Sequence, residues 1–420
     1  MLEWASHYYI EFIAVAAAEH ACMDALEVVE ISKVVREDQN MRILGGVCIF
    51  FLAACAVTSS GKKIIYQNEA IEEDEFKEIM SRRPPKFDIN VHFGNVSQNN
   101  ATSQLFCTTL SSSDSCPSPY AKFYLYTPDG TRALIDQTDP NWFSKSKFDK
   151  SQPTVLLFHG FGGGDNIGSM PLLRRAYLKL NYNVINADWA QLVAGWCYLT
   201  ATSTNVRGMG KCTAQLLAFF ERSTTINYQK VTCVGYSLGA HVCGTTASFL
   251  AKKLDKIVGL DPAGPLMQNK INRDKLDSGD ATQVQVIHTN ADFYGMRGQV
   301  GKVDFCINGG LLQTACANQR DYYYCSHIHS VCYMAESLFV GKRRTAMPCV
   351  NACPYTRIRA RAGSNVTVGL AVESGASGMY CMYVKNAPYC NDPSDSSYGD
   401  PICCDTSLSA NDLFIQTEFK

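Results

Sequence analysis

Residues 230–254 read KVTCVGYSLGAHVCGTTASFLAKKL, and this stretch decides the fold. A short apolar, β-rich run breaks at Gly235-Tyr236-Ser237-Leu238-Gly239 and then takes up helical periodicity. The reading is strand, tight turn, helix. A serine at the centre of G-x-S-x-G sits on a sharp turn whose flanking positions need glycine, because side chains there would clash as the backbone doubles back. The turn pushes the Ser237 hydroxyl outward, and the amide N–H groups opening the next helix would meet an oxyanion formed on a substrate carbonyl. Five-residue matches to this pattern arise by chance in long chains. The strand before it and the helix after it supply the context that favours a nucleophile over a plain glycine-bounded turn.

Outward from the turn, strands are expected at 122–126, 155–159, 183–188, 256–260 and 283–288, with helices near 171–180 and 204–222. Strands alternating with helices argue for an α/β architecture with a mostly parallel sheet covered on both faces. Sites in such sheets lie at the carboxyl ends of the strands. Ser237, the loop His159-Gly160-Phe161 and Asp261 each follow such an end, so they converge on one edge.

A serine hydroxyl is a poor nucleophile near neutral pH and needs a base, which in turn needs an acid to hold its tautomer. Of the 8 histidines, His7, His20 and His92 precede the regular part of the chain, and His241 lies on the helix after the turn, pointing away from it. His159 precedes the nucleophile in a glycine-rich loop, and His288 ends a strand, where a buried hydrogen-bonded role is equally natural. The order Ser, Asp, His favours His327 or His329, which spacing does not separate. Asp261, in Gly-Leu-Asp-Pro-Ala-Gly-Pro, follows the strand next to the elbow and is the candidate acid; capping a turn is its alternative.

Composition sets the bounds. A chain of 420 residues, 46% hydrophobic and 18% charged, is globular and long enough for one large core or two domains. A net charge of −1 gives no reason to expect a nucleic-acid partner. The 19 cysteines, without zinc-finger spacing, point to an oxidising compartment. MRILGGVCIFFLAACAVTSSG, from Met41, has the layout of a secretory signal, with one basic residue, an apolar run and Ala54 and Ala56 at a cleavage site. Residues 1–40 then read as a non-native or alternative extension and 41–56 as the signal; an uncleaved anchor is the alternative. Removing Cys22, Cys48 and Cys55 leaves 16 cysteines, an even number that suits disulfides. Residues 57–115 are a polar, weakly ordered lead-in, and sequons stand at Asn95, Asn100 and Asn365. Residues 116–391 form the expected catalytic domain and 392–420 a polar tail that Cys403 and Cys404 help pin.

Over 116–390 the motifs resemble the pancreatic lipase family of secreted α/β hydrolases. KFYLYT begins at 122, FHGF at 158, NADW at 186, VIHT at 286, DFCINGG at 304 and CSHIHS at 325, around GYSLGAH and GLDPAGP, with Tyr198, Asn205 and Arg207 between. VTVG and SGMYCMYVKNAPYC echo the motif that closes the family's catalytic domain. The resemblance implies Ser237 as nucleophile, Asp261 as acid, His327 as base, and backbone N–H groups of Phe161 and Leu238 as oxyanion donors. His329 departs from the family's usual arginine. A cysteine-bounded lid is also implied, with Cys316 paired to Cys325 around only ANQRDYYY. Cys349 with Cys353 is the other pairing expected. So short a lid, with a short segment from His288 to Asp304, resembles the phospholipase A1 branch and many insect lipases, and leaves room for a polar headgroup. Tyrosines 322–324 either meet a lipid interface or pack among their own aromatic rings.

The expected activity is hydrolysis of lipid carboxylic esters through an acyl-enzyme, on phospholipid, triacylglycerol or galactolipid, at a membrane or lipid-droplet surface. A catalytically silent lipid-binding or yolk-type storage protein is the rival reading. No cofactor is expected. Asp277 and Asp280 match the family's calcium loop, but Asn272 replaces an acidic position, so solvated loop aspartates are the favoured reading. The short stretch after Cys390 gives no second β-sandwich domain, hence no colipase-type partner is expected.

Overall fold

The computed structural model describes residues 107–389 apart from 168, 169, 196, 225, 226, 318 and 320. The expected extension, signal, most of the lead-in, Asn95, Asn100 and the tail lie outside the described residues.

Eleven strands form one sheet among the described residues: β1 (Lys122–Tyr126), β2 (Arg132–Leu134), β3 (Thr154–Phe158), β4 (Asn183–Asp188), β5 (Thr232–Tyr236), β6 (Leu254–Leu260), β7 (Ala281–His288), β8 (Val303–Ile307), β9 (Thr345–Pro348), β10 (Val366–Thr367) and β11 (Gly378–Met382). Their order is β10-β9-β11-β8-β7-β6-β5-β3-β4-β1-β2. Every neighbouring pair from β4 across to β11 is parallel, while β1 and β2 finish one edge and β9 and β10 the other as antiparallel pairs. The mostly parallel sheet expected from the strand–helix alternation is what forms. The edge strands β2, β9 and β10 are too short to carry a periodic signal.

A parallel strand needs cover on both faces, and β3 is buried along its whole length. Its Leu156 and Phe158 join one core with Leu216 and Phe220 of helix Val206–Thr224 and Val242 of helix Leu238–Ala247. Its Val155 and Leu157 join the other, with Leu173 and Tyr177 of helix Met170–Lys179 and Val331 of helix Tyr322–Ser337. In chain order these helices are α1 (Met170–Lys179), α2 (Val206–Thr224), α3 (Leu238–Ala247) and α4 (Tyr322–Ser337). Apolar residues of α2 recur at Met209, Cys212, Leu216 and Phe220, one helical stripe, and each such side chain contributes roughly 1.5–3 kcal/mol on burial.

Residues 107–115 are held against this body. Cys107 is bonded to Cys197 and Cys116 to Cys212, Leu110 is buried, and the Leu110 N–H donates to Asn205 Oδ1 at 2.8 Å. The expected Cys349–Cys353 pair does not form. Cys349 follows the end of β9 and bonds to Cys381 on the neighbouring strand β11, while Cys353 bonds to Cys306 on β8. Strand register, absent from a reading of spacings, selects those partners. Cys332 is also disulfide-bonded.

Candidate active site

The turn after β5 is strained where the chemistry needs it. Ser237 has φ 54° and ψ −120°, a backbone state that costs a non-glycine residue on the order of 1–3 kcal/mol. A Cβ at Gly235 would run into the Gly239 carbonyl, and one at Gly239 would lie 2.5 Å from Phe158 O, so both glycines are required. The Ser237 N–H donates to Leu260 O at 3.0 Å. Across the turn, Cys233 of β5 is bonded to Cys243 of α3, a pairing the sequence left unassigned.

Asp261 follows β6, the neighbour of β5, with φ 41° and no exposed surface. Its Oδ1 accepts the N–H groups of Thr289 at 3.0 Å and Asn290 at 3.2 Å. Its Oδ2 accepts from His327 Nδ1 at 2.6 Å. With Nδ1–H committed to the carboxylate, the lone pair of the neutral imidazole stands on Nε2. The His327 ring lies 4.8 Å from that of Tyr236, the residue before Ser237, and 5.3 Å from that of Tyr294. These contacts bring the imidazole beside the elbow.

The loop after β3 forms the facing wall. A Cβ on Gly160 would lie 2.8 Å from Ser237 Cβ, so glycine lets the loop touch Ser237. His159 is buried and burial lowers its pKa, which keeps it neutral. It spans the loop as a strut: Nδ1–H donates to Gly160 O at 2.9 Å and Nε2 accepts the Trp189 N–H at 3.2 Å. Phe161 packs edge-on against Tyr198 at 5.1 Å. Phe161 and Leu238 thus flank Ser237 from the loop and the helix. A small pocket beside them is lined by Phe161, Ile167, Met170, Tyr236, Tyr324 and Ile328.

Behind this loop lies a cluster that no motif announced. Buried Asp165 pairs with Arg132 at 2.9 Å and Arg174 at 3.5 Å and accepts from the Tyr126 hydroxyl, and Arg174 also donates to the Asp165 carbonyl at 2.9 Å. Burial is the main cause that pushes the Tyr126 hydroxyl up to about 12.

The remaining histidines serve the scaffold. His241 bridges Ala263 O at 2.8 Å and the Leu276 N–H at 3.1 Å, and burial pulls its pKa down to about 4. His288 meets Asp304 at 3.0 Å. His329 donates from Nδ1 to Cys325 O at 2.7 Å, beside the bonded pair Cys316–Cys325, and burial lowers its pKa to about 4. Of the two histidines that spacing left open, His327 is the one that reaches Asp261. Tyr323 stacks at 4.0 Å on Phe293, from the segment after β7, and is 3% exposed.

Asp277 and Asp280 share one turn, in which the Asp277 N–H donates to Asp280 Oδ2 at 2.8 Å and the Gly279 N–H to Asp277 Oδ1 at 2.6 Å. Burial pushes the Asp280 carboxyl up to about 8. Both carboxylates thus accept backbone N–H groups within the turn. Asn365 is exposed just ahead of β10.

The lipase family profile matches residues 86–360. The chain belongs to the pancreatic lipase family. Among its relatives, phospholipase A1 member A of Rattus norvegicus is 31% identical over 265 residues, covering 60% of this chain and 56% of the rat protein. Phospholipase A1 of Vespula squamosa is 30% identical over 257 residues, covering 57% of this chain and 84% of the wasp protein. Inactive pancreatic lipase-related protein 1 of Mus musculus is 29% identical over 254 residues, covering 55% of this chain and 53% of the mouse protein. The chain thus matches little more than half the length of the rat and mouse proteins.

Proposed function

We propose that this lipase-family chain hydrolyses lipid carboxylic esters through an acyl-enzyme. The observation that carries the reading is the 2.6 Å contact of Asp261 Oδ2 with His327 Nδ1 beside the strained Ser237 elbow. His327 Nε2 takes the Ser237 proton as Oγ attacks the ester carbonyl carbon, and the oxyanion is received by the amides of Phe161 and Leu238. The imidazolium then protonates the departing alcohol, and the same histidine activates the water that hydrolyses the acyl-enzyme. Asp261 holds the ring in register and stabilises its positive form.

Phospholipid is the substrate class best supported, with neutral glycerolipid second. Two relatives bear the name phospholipase A1, and the eight residues ANQRDYYY between Cys316 and Cys325 leave the site without a long lid. The disulfides favour secretion, since such bonds persist in oxidising compartments. The relative named as inactive keeps a second reading in play, a silent lipid-binding protein. Secreted protein expressed from Met41 is to be offered phosphatidylcholine and a long-chain triacylglycerol in parallel, with Ser237→Ala as the blank. Serine-dependent release of the sn-1 fatty acid is the expected result, with turnover of the variant lower on the order of 10⁵-fold and its fold intact. Serine-dependent cleavage of triacylglycerol alone would reject the phospholipase reading, and no serine-dependent cleavage of either would favour the silent protein.

A further inference from the structure

Two segments near the active-site loop display large apolar side chains to solvent. Leu199 is 66% exposed, Leu266 49% and Ile271 57%. Their segments lie side by side, because the Tyr198 hydroxyl donates to Pro265 O at 3.0 Å and Arg207 donates to Arg273 O at 2.8 Å. The pair adjoins the site, since Tyr198 also carries the ring of Phe161. Leu266 has φ 58°, a left-handed state that a branched apolar residue seldom adopts, yet its side chain is not used in the core. Glycine would remove that strain, so the leucine is held where folding alone does not ask for it.

The charges point the same way. Residues 266–275 carry Lys270, Arg273 and Lys275 against the single carboxylate Asp274, and that carboxylate is paired with Arg207 at 2.8 Å. The Arg273 side chain is 69% exposed and lies 3.9 Å from the same carboxylate. Among the described residues Lys270 has no ion pair within its own loop. Aliphatic tips flanked by the exposed Arg273 and the half-buried Lys270 fit the boundary of an anionic bilayer, where apolar side chains enter below the headgroups and cations meet the phosphates.

Resting on the lipid-hydrolase reading, we infer that Leu199, Leu266 and Ile271, with Lys270 and Arg273, dock this chain on an anionic phospholipid surface and set its active-site edge against the lipid. Ser237→Ala protein, which leaves vesicles intact, is sedimented with phosphatidylcholine vesicles with and without phosphatidylglycerol. Leu266→Gly and Ile271→Ser are each expected to lower partitioning about tenfold, as loss of one inserted aliphatic chain implies. Leu266→Gly serves as the folding-safe variant, with an unchanged or raised Tm. Lys270→Glu with Arg273→Glu lowers binding to the phosphatidylglycerol vesicles alone. With Ser237 restored, hydrolysis of a soluble short-chain ester stays at the parent rate while vesicle hydrolysis drops with partitioning. Parent-level partitioning of both aliphatic variants, or binding that ignores phosphatidylglycerol, overturns the proposal. Partitioning is read without turnover, so the docking surface and the hydrolase reading fail separately.

Discussion

At the elbow, Gly235, Ser237 and Gly239 fall within five residues, and the Gly239 carbonyl facing Gly235 closes the turn, with Phe158 of β3 and Leu260 of β6 against it. At the start of α4 the situation is reversed. His327 is held by Asp261, which is 66 residues away, and by the rings of Tyr236 and Tyr294, while Asp321 caps the helix and Cys316–Cys325 and Tyr323–Phe293 anchor its first turn. A serine in a contiguous turn is placed largely by backbone sterics, whereas a histidine placed by tertiary contacts depends on several elements arriving in register.

The sharpest way to break this comparison uses the two histidines of α4. His327→Ala is expected to lower kcat on the order of 10⁵-fold, as removal of a base from a cooperating triad does, while His329→Gln changes it less than about threefold. Steady-state kinetics on one soluble ester reads both. Comparable losses in the two variants would show that the helix as a whole, rather than one imidazole, is what the elbow requires.

Asp261→Asn is smaller in effect. It keeps the buried shape but presents an amide to Nδ1, favouring the wrong tautomer, and kcat is expected to fall about 10³–10⁴-fold with KM nearly unchanged. A loss that appears instead in KM would mean that Asp261 shapes the pocket rather than orients the base.

Smallest is the pH dependence of stability, which contrasts buried groups of the scaffold with the site itself. His241 and His329, each lowered to about 4, take up protons more readily when unfolded. Their contribution is complete above about pH 6.5 and is lost as pH falls toward 4. Asp280, raised to about 8, works in the opposite sense: its protonated form is favoured by folding, so stability declines as pH rises toward 8. Chemical denaturation is therefore expected to show greatest stability near pH 6 to 7, with a decline of about 1–2 kcal/mol by pH 8 that Asp280→Asn abolishes. An unchanged alkaline decline in that variant would assign it to other groups.

Much of the frame was legible from periodicity: the parallel strands β3 to β7 and the helices α1 and α2 stand within a few residues of their expected positions. Ser237 and Asp261 were legible as well, because each follows a strand's end in a contiguous motif. The residues alone left His327 and His329 open, and the motif resemblance favoured His327. The cluster of Asp165 with Arg132 and Arg174 gave no signal, since its members are drawn from separate elements.

Sequence by itself determined the turn at Ser237 and the order of strands and helices, because backbone sterics and apolar periodicity act between near neighbours. The tertiary structure brings His327, the histidine that the resemblance favoured, against Asp261, and it alone decided that Cys349 meets Cys381 rather than Cys353. Those choices depend on the register between elements far apart in the chain, and register is fixed only when the sheet and its helices pack together.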